Sequence, residues 1–166
     1  LTDPIAPSAA VISGNATICD GNNSNLVVSI TGGASPFNVN LSDGTNIPSY
    51  TSGDNILVTP ASTTVYSISA VIDANGCVSS SNTGTATINV SNPSASSAIG
   101  TDVSTCGASD GEIVIAGMSG AINGNYEFSV DGGSNYTNDN PVTGLSAGNY
   151  DVWVRDADNN TCAAQV

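Results

Sequence analysis

Residues 65–77, VYSISAVIDANGC, and residues 149–162, NYDVWVRDADNNTC, share one plan. Each is a run with apolar residues at alternate positions, then an acidic turn, then a cysteine. In the second stretch Tyr150, Val152 and Val154 fall on one face, with Asp151, Trp153 and Arg155 on the other. Such period-two alternation marks an antiparallel strand with one dry and one wet face. The Asp, Asn and Gly that follow are turn residues, which end the strand.

The duplication extends along the chain. Cys19 and Cys77 lie 58 residues apart, and Cys106 and Cys162 lie 56 apart. Asp43-Gly44 maps to Asp131-Gly132, Tyr66 to Tyr150 and Asp73 to Asp156, all at nearly the same offset. Equal spacing of unlike features is the signature of an internal repeat, here about 86 residues long, the size of a small β-sandwich. The Pro, Ser and Ala-rich stretch VSNPSASSAIG (90–100) follows the last strand-like run of the first half and reads as a short linker. The expected domains are therefore 1–92 and 93–166, joined as a fairly stiff rod.

Strands account for both halves. FNVNL (37–41) places Phe37, Val39 and Leu41 on one face; TATINV (85–90) does so with Ala86, Ile88 and Val90. NYEFSV (125–130) points Tyr126, Phe128 and Val130 inward. LVVSI (26–30) and EIVIA (112–116) are apolar on both faces, which suits central strands. Turn residues interrupt the runs every 8–12 residues or so, the spacing of a sandwich. No amphipathic helical pattern occurs. The expectation is an all-β protein of two tandem Ig-like antiparallel sandwiches.

Composition narrows the class. Fourteen acidic residues face one basic residue, Arg155, and no histidine, for a net charge of −13. A surface that grips phosphates needs clustered Arg or Lys, so nucleic acid is not an expected partner, and an anionic membrane would repel this charge. The hydrophobic fraction of 39% and its orderly alternation separate the chain from disordered sequences. The opening, LTDPIAPSAA, has no initiator Met, basic segment or long apolar run, and reads as the start of a mature fragment of a longer exported polypeptide.

The cysteines extend the export reading. A bridge in each half, Cys19–Cys77 and Cys106–Cys162, would close a loop of about 57 residues, worth roughly 4 kcal/mol in the chain-entropy model. Small domains with few aromatics use such staples in oxidising compartments.

The second half resembles a known family. CGASDGEIVIAGMSG, YEFSVDGGSNY and GLSAGNYDVWVRDADNNTC resemble one SprB-type repeat of the giant cell-surface adhesins of gliding Bacteroidota. The pattern is Cys106, Asp110-Gly111, a Gly-rich turn, an aromatic strand, Leu145-x-x-Gly148-x-Tyr150, Asp156 and Cys162. ICDGNNSNLVVSITGGASPFNVNLSDG and VYSISAVIDANGC in the first half are similar to Ig-like or PKD-like modules of the same proteins, although TPASTTVY stands where the Leu-x-x-Gly-x-Tyr string would be. The resemblance implies export by the type 9 route, an outer-membrane-associated place at the cell surface, and a filament in which most repeats serve as stalk. The implied partners are neighbouring repeats, surface polysaccharide or other adhesin chains, without membrane insertion.

Candidate chemistry is sparse. Without His or Lys a nucleophilic triad lacks its base. The carboxylates sit in turns, where Asp is favoured for backbone hydrogen bonding, so no enzyme is expected. Asp156-x-Asp158-x-Asn160 spaces oxygen ligands like the start of a calcium loop, and Asp73-x-Asn75 is a shorter version; no other cofactor is implied. Trp153 and Arg155, on one strand face, are a candidate contact surface. Tyr150 is expected to pack inward and bond a nearby backbone group, as in a tyrosine corner. The leading expectation is a structural stalk or spacer in gliding motility or attachment; the alternative is a carbohydrate- or protein-binding module.

Overall fold

A computed structural model describes residues 4–166. The described residues form sixteen β-strands and no helix. The chain divides into two compact units, Leu1–Val90 and Ser91–Val166.

The first unit contains β1 (Pro7–Ser13), β2 (Ala16–Cys19), β3 (Ser24–Gly32), β4 (Phe37–Leu41), β5 (Asn46–Tyr50), β6 (Asn55–Val58), β7 (Thr64–Tyr66), β8 (Ile68–Ile72), β9 (Asn82–Thr83) and β10 (Ala86–Ser91). They make three sheets, ordered β6-β3-β1-β9, β5-β4-β8 and β2-β10-β7. The doubly apolar LVVSI lies in β3, between β6 and β1, where a central strand belongs. β1 and β3 are antiparallel, whereas β1 and β9 run parallel. The three sheets turn their apolar faces to one core. Ala10 and Ile12, Leu26 and Val28, Phe37, Val39 and Leu41, Val71, and Ala86 and Ile88 are all buried in it.

A tyrosine outside the repeat pattern finishes this core. β6 stops at Asn55, opposite Val27, so the amide of Val28 has no ladder partner there, while its carbonyl accepts from Gly53 N at 3.0 Å. The buried Tyr50 hydroxyl takes over, accepting from Val28 N at 2.9 Å and lying 3.0 Å from Val28 O and 2.7 Å from Asp54 O, the carbonyls to which it can donate.

The second unit contains β11 (Ser97–Thr101), β12 (Gly111–Ala116), β13 (Tyr126–Ser129), β14 (Val142–Leu145), β15 (Trp153–Asp156) and β16 (Asn159–Gln165). Two three-stranded sheets result, β11-β12-β14 and β13-β15-β16. EIVIA occupies the central strand of the first. The core is smaller: Ile113, Ile115, Phe128, Val142, Val152 and Val154. Tyr150 donates its hydroxyl to Ser146 O at 2.6 Å, within the Leu145-to-Tyr150 string.

Residues 91–100 are structured parts of the second unit, not a free linker. Asn92 N donates to Gly120 O, Ser94 and Ser119 bond in both directions, and β11 pairs with β12 along its length. Gly120 has φ +82°, and a Cβ there would collide with the carbonyl oxygen of Asn92, so this close approach requires glycine.

The cysteine pairing differs from expectation. Cys19 and Cys162 are each disulfide-bonded, and Cys106 keeps an exposed thiol. Neither Cys19–Cys77 nor Cys106–Cys162 is made. Cys19 ends β2, in the β2-β10-β7 sheet, while Cys77 lies beyond β8, which belongs to the β5-β4-β8 sheet. Cys106 sits on an exposed loop and Cys162 is buried on β16. A disulfide needs Cα atoms within about 7 Å and converging side chains, which regular spacing along the chain does not provide.

Replacing Tyr50 by Phe removes the acceptor for the Val28 amide while leaving the ring in place. The expected loss is about 1–3 kcal/mol, the cost of a buried unsatisfied donor. Denaturant unfolding of Tyr50→Phe against the parent chain measures it.

Candidate functional site: the acidic turns and a groove in the second unit

The chain crosses from one sheet to another between β3 and β4 in the first unit, and between β12 and β13 in the second. A buried aspartate holds each crossing. Asp73, just past β8, is 5% exposed. Its Oδ2 accepts from Ala34 N at 3.1 Å, in the β3–β4 loop. Its Oδ1 accepts from Asn75 N at 2.9 Å and Cys77 N at 2.8 Å, closing its own turn. Asp156, at the end of β15, is fully buried. Its Oδ2 accepts from Ile122 N at 2.9 Å, in the β12–β13 loop, and from Ser91 Oγ at 2.5 Å, while Oδ1 accepts from Asp158 N at 2.8 Å.

Both residues sit where strand alternation brings the side chain inward, and both remain charged there. Burial pushes each carboxyl upward. For Asp73 the amides of Ala34, Cys77 and Asn75 outweigh it. For Asp156 the Ser91 hydroxyl and the amides of Ile122, Asp158 and Asn159 do so. Each ends below the usual carboxylate range, because hydrogen bonds to the ionised form favour it.

The other duplicated acid has a local role. Asp43 Oδ1 accepts from Thr45 N at 3.0 Å in the turn after β4. Asp131, after β13, accepts from the Asn135 and Ser129 side chains and the amides of Asn135 and Ser134, and is held well below the ordinary range by them.

These bonds bear on the candidate calcium ligands. Asp158 Oδ2 accepts from Asn123 Nδ2 at 3.1 Å and Asn125 Nδ2 at 3.2 Å. The Asn160 amide, oriented to satisfy its surroundings, donates to the carbonyls of Ala157 and Asp156. Asp156, Asp158 and Asn160 therefore share one turn, but their polar atoms face protein donors and acceptors. In the shorter candidate, Asn75 contributes its backbone amide to Asp73. Among the described residues no group of three or more His, Cys, Asp or Glu is placed to hold a metal.

Trp153 and Arg155 share a strand face, yet each is engaged locally. Trp153 Nε1 donates to Asp151 Oδ1 at 3.2 Å. Arg155 lies 2.6 Å from Glu127 Oε2, its cross-strand partner, and its guanidinium carbon stands 3.9 Å above the centre of the Tyr136 ring. The aromatic partner of the only cation is Tyr136, which strand alternation alone could not reveal because Tyr136 lies in a loop.

The sequence reading missed a groove of about 700 Å³ in the second unit. It opens between β11 and the Leu145–Val152 stretch, with Val103, Ile113, Tyr150 and Val152 on its apolar sides and Asp102 and Glu112 among its polar ones. The signal available was weak: Ala98 and Gly100 are small residues at inward positions of a strand.

The chain matches no protein-family model, and a search of curated proteins finds no significant match.

Asp156→Asn places an N–H-bearing group against the Ile122 amide and Ser91 hydroxyl. The expected loss is about 1–3 kcal/mol, read by urea unfolding. A carboxyl depressed in the folded state stabilises it above the unfolded value of about 3.9, and that contribution fades as pH falls through the folded value. Parent stability should therefore decline below about pH 4, and Asp156→Asn should show a shallower decline.

Proposed function

We propose that the chain is a pair of structural spacer modules from an exported bacterial surface adhesin, each an Ig-like β-sandwich, without catalytic activity. The observation that carries this reading is where the distinctive side chains go. The duplicated aspartates fasten sheet-to-sheet crossings, Asp43 and Asp131 close hairpin turns, and Arg155 is held by Glu127 and Tyr136. Residues that could have served a reaction serve the fold. The presence of a disulfide suits an oxidising compartment. The antiparallel sheets facing a shared core in each unit, and the resemblance of residues 101–166 to SprB-type repeats, support the Ig-like and adhesin assignments. Association with gliding or attachment, and with the type 9 route, follows from that resemblance.

The role is mechanical. Lateral hydrogen bonds between strands resist extension, and the acidic, Ser, Thr and Asn-rich exterior keeps modules soluble and apart. In this reading Asp156 and Asp158 act as turn-closing side chains, because their oxygens accept N–H and O–H donors.

The second reading, a binding module, is favoured by the groove beside β11.

Protease treatment of intact producing cells tests the assignment: the chain should be cleaved without lysis, and protection until lysis would overturn export. On the purified chain, saturating calcium at 100 times a dissociation constant would add about 2.7 kcal/mol. The expected result is one melting midpoint with calcium and with chelator alike. A glycan array probed with the parent and Trp153→Ala should show no binding by either; binding lost in the variant would favour the second reading.

A further inference from the structure

The core-facing side of β11 is left uncovered, and we propose that it docks an extended segment of a partner protein in which apolar residues alternate with lysine or arginine. Ala98 and Gly100 are the Cα partners of Ile115 and Ile113. Paired residues in a ladder point to the same face, so Ala98 and Gly100 stand on the side where Ile113 and Ile115 are buried. Both are nevertheless exposed. The space a larger side chain would fill is the groove of about 700 Å³, within the range of about 300–1,000 Å³ typical of ligand clefts.

The strand beside the groove is open along one side. β11 is the outer strand of its sheet, ordered β11-β12-β14. Its five residues pair with β12 without a register shift and include no Pro, Lys or Arg. Bulges, Pro and Lys are among the features by which sheets protect an edge from further pairing, and β11 has none of them. An added strand would satisfy the main-chain groups of β11 and send alternate side chains into the groove, the mode of β-augmentation.

Charge selects the occupant. Asp102 lines the groove, and the Glu112 side chain, opposite Thr101 in the ladder, stands on the other face of the sheet, to which an added strand sends its second set of side chains. The hydrogen bond to the Glu112 carboxylate, from Thr101 Oγ1, is long at 3.5 Å. The chain's one cation, Arg155, is committed to Glu127 and Tyr136. A second copy of this chain, with a net charge of −13 and the same single Arg, supplies no complement. The complementary partner carries positive charge beside its apolar residues.

The test is a titration of the isotope-labelled full chain with a synthetic peptide of about seven residues, a natural strand length, alternating valine and lysine. Comparison peptides have the same composition in block order, or alternate valine and glutamate. The expected result is amide shifts centred on residues 97–101, weakened by salt, from the alternating lysine peptide alone. Gly100→Val has room, since its Cβ would meet only Glu112 O at 3.9 Å and its φ is not positive. That variant should keep its circular dichroism and lose binding. Asp102→Asn and Glu112→Gln should each weaken it about two- to fivefold, as for exposed charge pairs, while Asp139→Asn leaves it unchanged. Equal binding of the block-order peptide, undiminished binding by Gly100→Val, or the same shifts from spermine alone would each overturn the proposal.

Discussion

A buried carboxylate that gathers loop amides is the constraint on which each unit depends. Sheets whose apolar residues share a core still require the chain to cross between them, and a crossing loop carries amides that no ladder satisfies. Asp73 and Asp156 solve this at corresponding places. Each sits at the end of an inward-alternating run, each captures an amide from the crossing loop, and each closes its own turn with the remaining oxygen. One side chain thereby fixes the loop, the turn and the strand end. The ionised form is essential, since only an acceptor-only group can face several N–H donors at once.

Scarcity of cations explains why the solution takes this form. With a single Arg the chain cannot offset its carboxylates by ion pairs. It uses backbone amides and uncharged side chains instead: Ser91 for Asp156, Asn135 and Ser129 for Asp131, Thr45 for Asp43. Asn46 likewise spans Asn38 and Asn40 on the wet face of β4. Such networks of uncharged donors around a carboxylate do not depend on a cationic partner.

Much of this was legible in the sequence because alternation is a direct consequence of strand geometry. Phe37, Val39 and Leu41, Ala86 and Ile88, Phe128, and Val152 and Val154 are buried where the pattern places them. The central positions of LVVSI and EIVIA also follow from being apolar on both faces. The duplicated aspartates were visible, but their burial was not: Asp156 reads as a turn residue until one continues the alternation of Val152 and Val154 by one more step. Pairing of the cysteines was not legible, since spacing along the chain carries no information about which sheet each thiol joins. The groove was hidden for a similar reason. Ala98 and Gly100 look like linker residues, and only the register of β11 against β12 shows that they occupy core-facing positions.

The two units thus solve the same problem to different degrees of closure. In the first, three sheets contribute to one core, and Tyr50 completes the ladder where β6 ends. In the second, the core has six buried apolar side chains and a strand edge faced by Ala and Gly. A fold that leaves a core-facing strand uncovered keeps apolar surface in contact with water, at about 25 cal/mol per Å² of lost burial. Larger residues at Ala98 and Gly100 would recover part of that without disturbing the backbone, because neither position demands glycine or alanine for its conformation. Small residues there keep the groove open, which ties the groove to the sequence of β11 and not to a defect in packing.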